Sequence, residues 1–180
     1  AQPIVAQGAL LSAEVGFDAL YFARMDWQEE EVRVAARSMD LVWRPSPSLG
    51  ADAEVFTGVF PDQSYGPPPG LCFDEAQCNG GIPVMDDQCL EDGNVQGFVD
   101  LVVSTARRYA NASQADPALS PVNVLFLMGS DFQYENADEW YRNLDKLIHY
   151  VNKDGRVNAF YSNPEMYTDA KYREGVTRPV

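Results

Sequence analysis

Five side chains that could bind a ligand or transfer a proton follow apolar segments of the sequence or lie in a long loop. They are Asp131, Arg24, Trp27, Trp43 and Tyr65. A positioned carboxylate can give a proton to a reacting oxygen and take it back. Aromatic faces pack on the apolar surfaces of sugar rings, while guanidinium groups bond their hydroxyls in pairs. This set favours carbohydrate chemistry, with Asp131 as the first candidate for proton transfer.

Each candidate also has an ordinary explanation. An Asp after a strand commonly fixes the turn by accepting hydrogen bonds from nearby backbone N–H groups, and Asp131 fits that role. Trp27 and Trp43 are of a type that more often fills a core than binds a ligand. Arg24 can neutralise Asp26 two residues on. Residue types alone leave these alternatives open.

The element that must position Asp131 is a strand, turn and helix unit. Residues 122–128 are apolar except for Asn123, which predicts a central strand buried on both faces. Apolar residues then recur with helical spacing up to residue 151. Asn136 and Glu139 have the spacing of a capping box, so we expect this helix to begin near Ala137. Asp131 would then lie at the carboxyl end of a core strand.

Strands and helices alternate along the rest of the chain. The patterns predict helices over residues 7–15, 28–39, 95–109 and 164–171, and strands over residues 17–23, 40–43 and 157–161; residues 54–60 fit a strand or an extended approach to the loop. This order predicts an α/β fold with a mostly parallel sheet. Because the carboxyl ends of parallel strands share one edge, we expect the candidate residues to meet there.

Composition limits the class of protein. With 46% hydrophobic residues, the 180-residue chain can bury the core of one domain or of part of one. Its net charge of −14 would repel phosphate backbones, so we expect no nucleic acid partner. No apolar run reaches the length of a membrane span, and no signal peptide pattern is present.

Cysteine spacing and one sequon bear on the compartment. Cys72 and Cys78 enclose five residues in the Gly- and Pro-rich loop 61–92, and a small disulfide there would fit an oxidising compartment. Asn111 begins a glycosylation sequon with Ala112 and Ser113. Reduced cysteines and an unused sequon are the alternative. Cys89 would then be free or would pair with a cysteine outside this chain. A lone His and the absence of a CxxC motif argue against a zinc site built from cysteines.

Several segments together resemble one enzyme family. The run GSDFQYENA over residues 129–137, followed by Trp140 and by NLDKLI over residues 143–148, resembles the lysosomal-type α-mannosidases of glycoside hydrolase family 38. Further similar segments are FDALYFAR at 17–24 with DWQ at 26–28, VWR at 42–44, FTGVFP at 56–61, and the loop from Tyr65 to Cys72. The similarity covers nearly the whole chain.

The resemblance implies a role for individual residues. It implies that Asp131 is the general acid/base, that Arg24 contacts the substrate or the nucleophile, and that Tyr65 lines the sugar subsite. Trp27 replaces the Tyr that is usual in the family. A small disulfide between Cys72 and Cys78 is also implied. Residues 1–180 would then be one piece of an irregular (β/α) barrel-like catalytic domain.

The resemblance further implies a retaining, zinc-dependent enzyme that removes terminal α-mannosyl residues from N-glycans in the lysosome, the secretory lumen or outside the cell. The family's zinc ligands and nucleophilic Asp find no match here, since the only His is His149 and the nucleophile would fall just before residue 1. We therefore expect the remaining segments of the same enzyme to supply both, and the 180 residues alone to be inactive. A sugar-binding or structural relative without catalysis is the alternative.

Overall fold

The computed structural model describes residues 3–78, 81–87, 89, 91–113 and 122–180. These residues form five α-helices and three β-strands: α1 (Pro3–Glu14), β1 (Ala19–Phe22), α2 (Trp27–Ala36), β2 (Asp40–Trp43), β3 (Val55–Val59), α3 (Val95–Ser113), α4 (Ala137–Asp154) and α5 (Pro164–Arg173). No helix built by these residues is long and apolar enough to cross a bilayer. The chain divides into two compact units. The first comprises Ala1–Ser64, Tyr109–Val124 and Asn163–Val180, and the second comprises Tyr65–Arg108 and Leu125–Ser162.

The first unit contains a three-stranded mixed sheet in the order β1-β3-β2. Strand β1 runs parallel to β3, with Leu20 beside Thr57, whereas β2 runs antiparallel to β3, with Leu41 beside the same Thr57. Met39, Leu41, Val59 and Ala112 form a buried cluster that includes one residue each of β2 and β3. The α/β prediction is confirmed, but the mostly parallel sheet is not. Three strands do not establish a barrel, so the barrel-like architecture stays a prediction.

Strand β2 is antiparallel for a topological reason. A parallel neighbour needs a crossover of a dozen or more residues, usually a helix. Between β2 and β3 the chain has only residues 44–54, which include one 3₁₀ turn at Gly50–Ala53 and no α-helix. The chain therefore reverses direction there. The sequence shows the shortness of this connection, but the alternation of elements favoured a parallel sheet.

Polar side chains cap the starts of two helices of the first unit, and a glycine follows the end of a third. The Asp26 carboxylate accepts hydrogen bonds from the backbone N–H groups of Gln28 (3.0 Å) and Glu29 (3.3 Å) and so caps α2. Asn163 caps α5 in the same way through Met166, at 2.8 Å. Gly16 follows α1 with φ +85°, the left-handed conformation expected after a helix.

The second unit is built around α4 and the part of α3 that precedes Tyr109. Ten buried apolar residues form its core: Leu71, Phe73, Val84, Val99, Val102, Val103, Trp140, Leu144, Leu147 and Val151. The loop is tied to α4 by polar bonds, because Asn143 Oδ1 accepts from Val84 N at 2.7 Å and Lys146 pairs with Asp86 at 2.6 Å. Contacts with α4 thus order part of loop 61–92, and Asp86 is held there in an ion pair.

The predicted strand at residues 122–128 is wrong. The described residues form no strand there, and each of residues 122–129 is half-buried instead of buried. Side chains take the place of strand partners at several backbone groups. Glu174 accepts from Asn123 N at 2.7 Å, and Tyr134 donates to the Met128 carbonyl at 2.6 Å. An apolar run predicts burial more directly than it predicts a hydrogen-bonded partner.

The predicted strand at residues 157–161 is also wrong, for a similar reason. Ala159 donates its N–H to Asn152 Oδ1 at 2.7 Å, and its carbonyl accepts from Asn152 Nδ2 at 2.8 Å. The Asn152 side chain, at the end of α4, thus satisfies both backbone groups of Ala159 that would otherwise bond a neighbouring strand. The capping box at the start of α4 is wrong too. Asn136 occupies the capping position, and the helix begins at Ala137 as predicted, but the Asn136 side chain makes no capping bond.

Candidate active site

Asp131 lies in a tight turn of the second unit, between Met128 and the start of α4. Gln133 N donates to the Ser130 carbonyl at 3.2 Å, and the Tyr134 hydroxyl donates to the Met128 carbonyl at 2.6 Å. Two non-glycine residues, Phe132 (φ +61°) and Tyr134 (φ +74°), adopt left-handed backbone conformations. Such conformations are costly for bulky residues and persist only where surrounding contacts impose them. The turn is therefore held in a defined, locally strained shape.

The disulfide loop contacts this turn. Cys72 and Cys78 form the predicted disulfide, with their Cα atoms 6.0 Å apart, so that prediction is confirmed. The Gln133 side-chain amide points at the sulfurs, with Nε2 3.5 Å from Cys72 Sγ and 3.7 Å from Cys78 Sγ. Because sulfur is a weak acceptor, these contacts fix the position of the Gln133 side chain but add little to stability. The loop thus lies against the residue two positions after Asp131.

The Asp131 carboxylate is exposed and does not perform the ordinary task of an Asp at a turn. Among the described residues none donates a hydrogen bond to it or pairs with it. The turn is closed instead by Tyr134 and Gln133. A carboxylate with no structural partner is available for a ligand. The residue that follows Asp131 is Phe132, whose aromatic side chain is 75% exposed.

Arg24 and Trp27 lie just after β1 in the first unit. Arg24 is exposed, and Trp27, the first residue of α2, is 59% exposed. Asp26 is occupied by capping α2, so the alternative that Arg24 serves to neutralise it finds no ion pair among the described contacts. Both side chains are accessible to a ligand. Their predicted role in sugar binding stays a prediction.

Trp43 was expected at the same sheet edge, and this placement is wrong. Register places Phe22, the end of β1, beside Val59, whereas Trp43, the end of β2, lies beside Val55 at the other end of β3. The antiparallel direction of β2 is the reason. The half-buried Trp43 ring packs against Phe22 with centroids 6.1 Å apart. Its place is that of a core aromatic, and a sugar contact by Trp43 stays a prediction.

Tyr65, Asn111 and Cys89 are accessible at the surface. Tyr65, in the second unit with Asp131, is 50% exposed. Asn111 is exposed in the last turn of α3, where its sequon neighbour Ala112 is buried. Cys89 is exposed and free. Arg24, Trp27, Trp43 and Asn111 belong to the first unit.

The residues that the structure describes do not form a zinc site of their own. In the ranges that the structure describes, no three side chains of His, Cys, Asp or Glu converge so that they could hold a metal ion. The single His149 is exposed on α4, and its ring meets the ring of Tyr150 edge-on with centroids 4.9 Å apart. Zinc in proteins requires three or four such ligands.

Sequence reasoning missed the two residues that shape the Asp131 turn. Gln133 and Tyr134 stand in the run that carries the resemblance, but neither spacing nor residue type shows that the Tyr134 ring folds back towards Met128. A Gly five residues before an aromatic is the one available signal. At Gly129 a Cβ atom would lie 2.8 Å from Tyr134 Cε2, so only glycine leaves room for the ring.

Comparison with known proteins agrees with the motifs. Residues 4–178 match the family model described as the glycosyl hydrolases family 38 N-terminal domain. A probable α-mannosidase of Arabidopsis thaliana is 45% identical over 174 residues, which are 97% of this chain and 16% of that protein. An α-mannosidase of Canavalia ensiformis is 42% identical over 97% of this chain and 17% of its own length.

A human protein is similar as well. The lysosomal α-mannosidase of Homo sapiens is 38% identical over 164 residues, which are 88% of this chain and 15% of that protein. The chain thus spans about a sixth of the length of these relatives. The family model covers nearly all of the chain, and the relatives agree with it. The chain therefore belongs to glycosyl hydrolase family 38, and its residues 4–178 match the family's N-terminal domain.

Proposed function

We propose that the protein carrying these residues is a retaining α-mannosidase in which Asp131 is the general acid/base. Family membership and the relatives' names support a glycosidase. The observation that carries the residue assignment is the Asp131 carboxylate itself. It is exposed, it has no partner among the described side chains, and it stands in a turn of imposed shape.

Retaining hydrolysis uses two carboxyl groups about 5 Å apart. One attacks the anomeric carbon and forms a covalent glycosyl-enzyme as the bond to the leaving oxygen breaks. Asp131 would donate its proton to that oxygen, and its carboxylate would then take a proton from the water that releases the sugar. The nucleophilic carboxylate would come from polypeptide outside these 180 residues.

The sugar would be bound by exposed side chains that the sequence singles out. Arg24 can donate paired hydrogen bonds to ring hydroxyls, and Trp27 and Tyr65 can pack on the apolar faces of the ring. The substrate class is a mannose-containing oligosaccharide with terminal α-mannosyl residues, as on N-glycans. Zinc, which the family resemblance implies, would be held by residues outside the chain and would bind sugar hydroxyls.

The proposed compartment is the lysosome, the secretory lumen or the extracellular space. Relatives named as lysosomal α-mannosidases support it. The Cys72–Cys78 disulfide agrees, since disulfides persist in oxidising compartments. The remaining segments of the same enzyme would be the chain's principal protein partner.

The test is Asp131→Asn in the complete protein, assayed with two aryl α-mannosides of different leaving group. An aryl oxygen that leaves poorly needs the proton, so its hydrolysis should slow about 100-fold or more. An activated aryl group leaves without help, so that glycosyl transfer to the enzyme should persist. Azide, which attacks without a general base, should then accelerate turnover and yield the mannosyl azide.

The matched control is Asp138→Asn, which removes another exposed carboxylate of the same unit, at the first turn of α4. Asp138 pairs with Arg142 at 3.2 Å and should be dispensable for hydrolysis. If Asp131→Asn retains activity like the control on both substrates, Asp131 is not the general acid/base. If the complete wild-type protein binds mannosides but does not hydrolyse them, the sugar-binding alternative is favoured.

A further inference from the structure

The Tyr134 side chain closes the turn that carries Asp131. Its hydroxyl donates a hydrogen bond to the Met128 carbonyl at 2.6 Å, so this side chain links the two ends of the segment 128–134. The ring passes over Gly129, where a Cβ atom would stand 2.8 Å from Cε2. Gly129 also has φ +155°, a conformation that side-chain-bearing residues rarely adopt. The turn and the ring thus fit only with glycine at this position.

The Tyr134 ring is fixed to the core of the second unit. It stacks on Trp140 with centroids 4.8 Å apart and an interplanar angle of 17°. Trp140 is fully buried and meets Phe73 edge-on at 5.9 Å. Stacked aromatic rings in such positions add stability beyond the area they bury. The hydroxyl that closes the turn is therefore held by a rigid part of the molecule.

Asp131 lies within the bridged segment. Phe132 and Tyr134 both have positive φ angles, so the backbone after Asp131 would relax if the closing bond were lost. Burial raises the pKa of the Tyr134 hydroxyl, so it stays protonated and able to donate over the whole range in which glycosidases work. An exposed carboxylate that must donate its proton to one particular oxygen atom needs a backbone that is held in place.

We propose that Tyr134 is a positioning residue for Asp131: its hydroxyl bond to the Met128 carbonyl, anchored by stacking on Trp140, fixes the turn from which the carboxylate reaches the leaving oxygen. This inference rests on the proposed role of Asp131. A displacement of a catalytic group by about 1 Å can slow a reaction about 100-fold. Loss of the bond should therefore affect proton donation more than it affects sugar binding.

The test is Tyr134→Phe in the complete protein, which removes the hydroxyl and keeps the stacked ring. Its control is Tyr150→Phe, which removes a phenol bond of the same unit, from Tyr150 to Asp86 Oδ2 at 3.3 Å. For an aryl α-mannoside with a poor leaving group, Tyr134→Phe should lower kcat about 10-fold or more and leave KM within about 2-fold. With an activated leaving group, which needs no proton in the first step, the loss in glycosyl transfer should be smaller. The control should match wild type on both substrates.

Gly129→Ala supplies an independent second variant. The added methyl group displaces the Tyr134 ring, so the hydroxyl bond is lost already and Tyr134→Phe should add no further loss in the double variant. If Gly129→Ala does not fold, Tyr134→Phe alone carries the test. Equal kcat in Tyr134→Phe and Tyr150→Phe overturns the proposal, as does a loss that is equal for both leaving groups or that appears in KM alone.

The two proposals fail separately. An inactive Asp131→Asn with a fully active Tyr134→Phe removes the positioning role and leaves the general acid/base in place. An active Asp131→Asn removes the general acid/base and the positioning role with it. Loss of activity in Asp131→Asn, combined with the leaving-group-dependent loss in Tyr134→Phe, supports both.

Discussion

Replacing Lys171 with Met should strongly destabilise the first unit. The Lys171 side chain is 2% exposed, and its ammonium lies 2.7 Å from Asp40 Oδ2 and 2.9 Å from Glu174 Oε2. Arg178 pairs with Glu174 at 2.9 Å. In the described part of the chain, Lys171 is the only cation within ion-pair distance of Asp40. Methionine matches the length of lysine but leaves a buried carboxylate without its partner.

The size of the effect follows from burial. Both carboxylates have side chains only 3% exposed, so water cannot solvate the one that loses its partner. Removal of one member of a buried ion pair costs about 3–5 kcal/mol. We therefore expect the free energy of unfolding to fall by about that amount at pH 7. Lys153→Met, at an exposed position in the last turn of α4, should change it by less than about 0.5 kcal/mol.

The pH dependence identifies the group responsible. Burial raises the pKa of Asp40, and the positive charges of Lys171 and Arg178 act against that rise. A raised pKa means that the folded state binds more protons than the unfolded state, so stability falls as pH rises from the unfolded value, about 3.9, through the folded one. Without Lys171 the pKa of Asp40 rises further. The penalty should therefore shrink as the pH is lowered towards about 4.5.

Urea unfolding followed by circular dichroism measures these free energies. Groups around Asp40 that could obscure the effect are Glu174, Tyr21 and Tyr167. Burial raises the pKa of both phenols, so they stay neutral below pH 7. Asp40→Asn in the Lys171→Met background should restore stability at pH 7 and abolish the pH dependence of the penalty. A penalty below about 1 kcal/mol, or one that persists unchanged at low pH, would refute the argument.

Two further predictions concern the disulfide and the sequon. Replacing both Cys72 and Cys78 with Ser opens a loop of sequence separation 6, which in the chain-entropy description lowers the free energy of unfolding by about 2 kcal/mol. The urea midpoint should fall accordingly, whereas the control Cys89→Ser should have the wild-type midpoint. Equal midpoints for the wild type and both variants would contradict the prediction. Expression in a eukaryotic secretory pathway should attach a glycan at the exposed Asn111, so that Asn111→Gln increases electrophoretic mobility and removes the response to glycosidase digestion at this site; identical mobility would show the sequon to be unused.

Helices were predictable from the sequence because their signals are local. The apolar spacing after residue 136 located α4, which begins at Ala137, and Pro164 marked the start of α5. The left-handed conformation of Gly16 after α1 likewise depends on neighbours a few residues away. The family resemblance correctly implied the Cys72–Cys78 disulfide, which spacing alone left open.

Sheet pairing was less predictable because its partners are distant in the sequence. An apolar run looks the same whether a strand or a side chain bonds its backbone. The Asn152 side chain accepts from the backbone N–H of Ala159, and the Glu174 side chain accepts from that of Asn123. The antiparallel direction of β2 then removed Trp43 from the edge where Arg24 and Trp27 lie. The wrong placement of Trp43 thus followed from the wrong pairing of β2, and the wrong strand at residues 122–128 likewise leaves Asp131 in a turn instead of at a strand end. The role of Asp131 as general acid/base, which its family motif implies, stays a prediction.

Asp40 and Asp131 illustrate why residue type does not assign a carboxylate its role. Asp40 begins a strand, is 3% exposed and is paired with Lys171, so its charge is already used to hold α5 in place. Asp131 is exposed and has no partner among the described residues, while the backbone around it is fixed by Tyr134. A group that must exchange a proton with a substrate cannot be tied to a permanent cation, but it must not move freely. Of these two carboxyl groups, Asp131 alone meets both requirements.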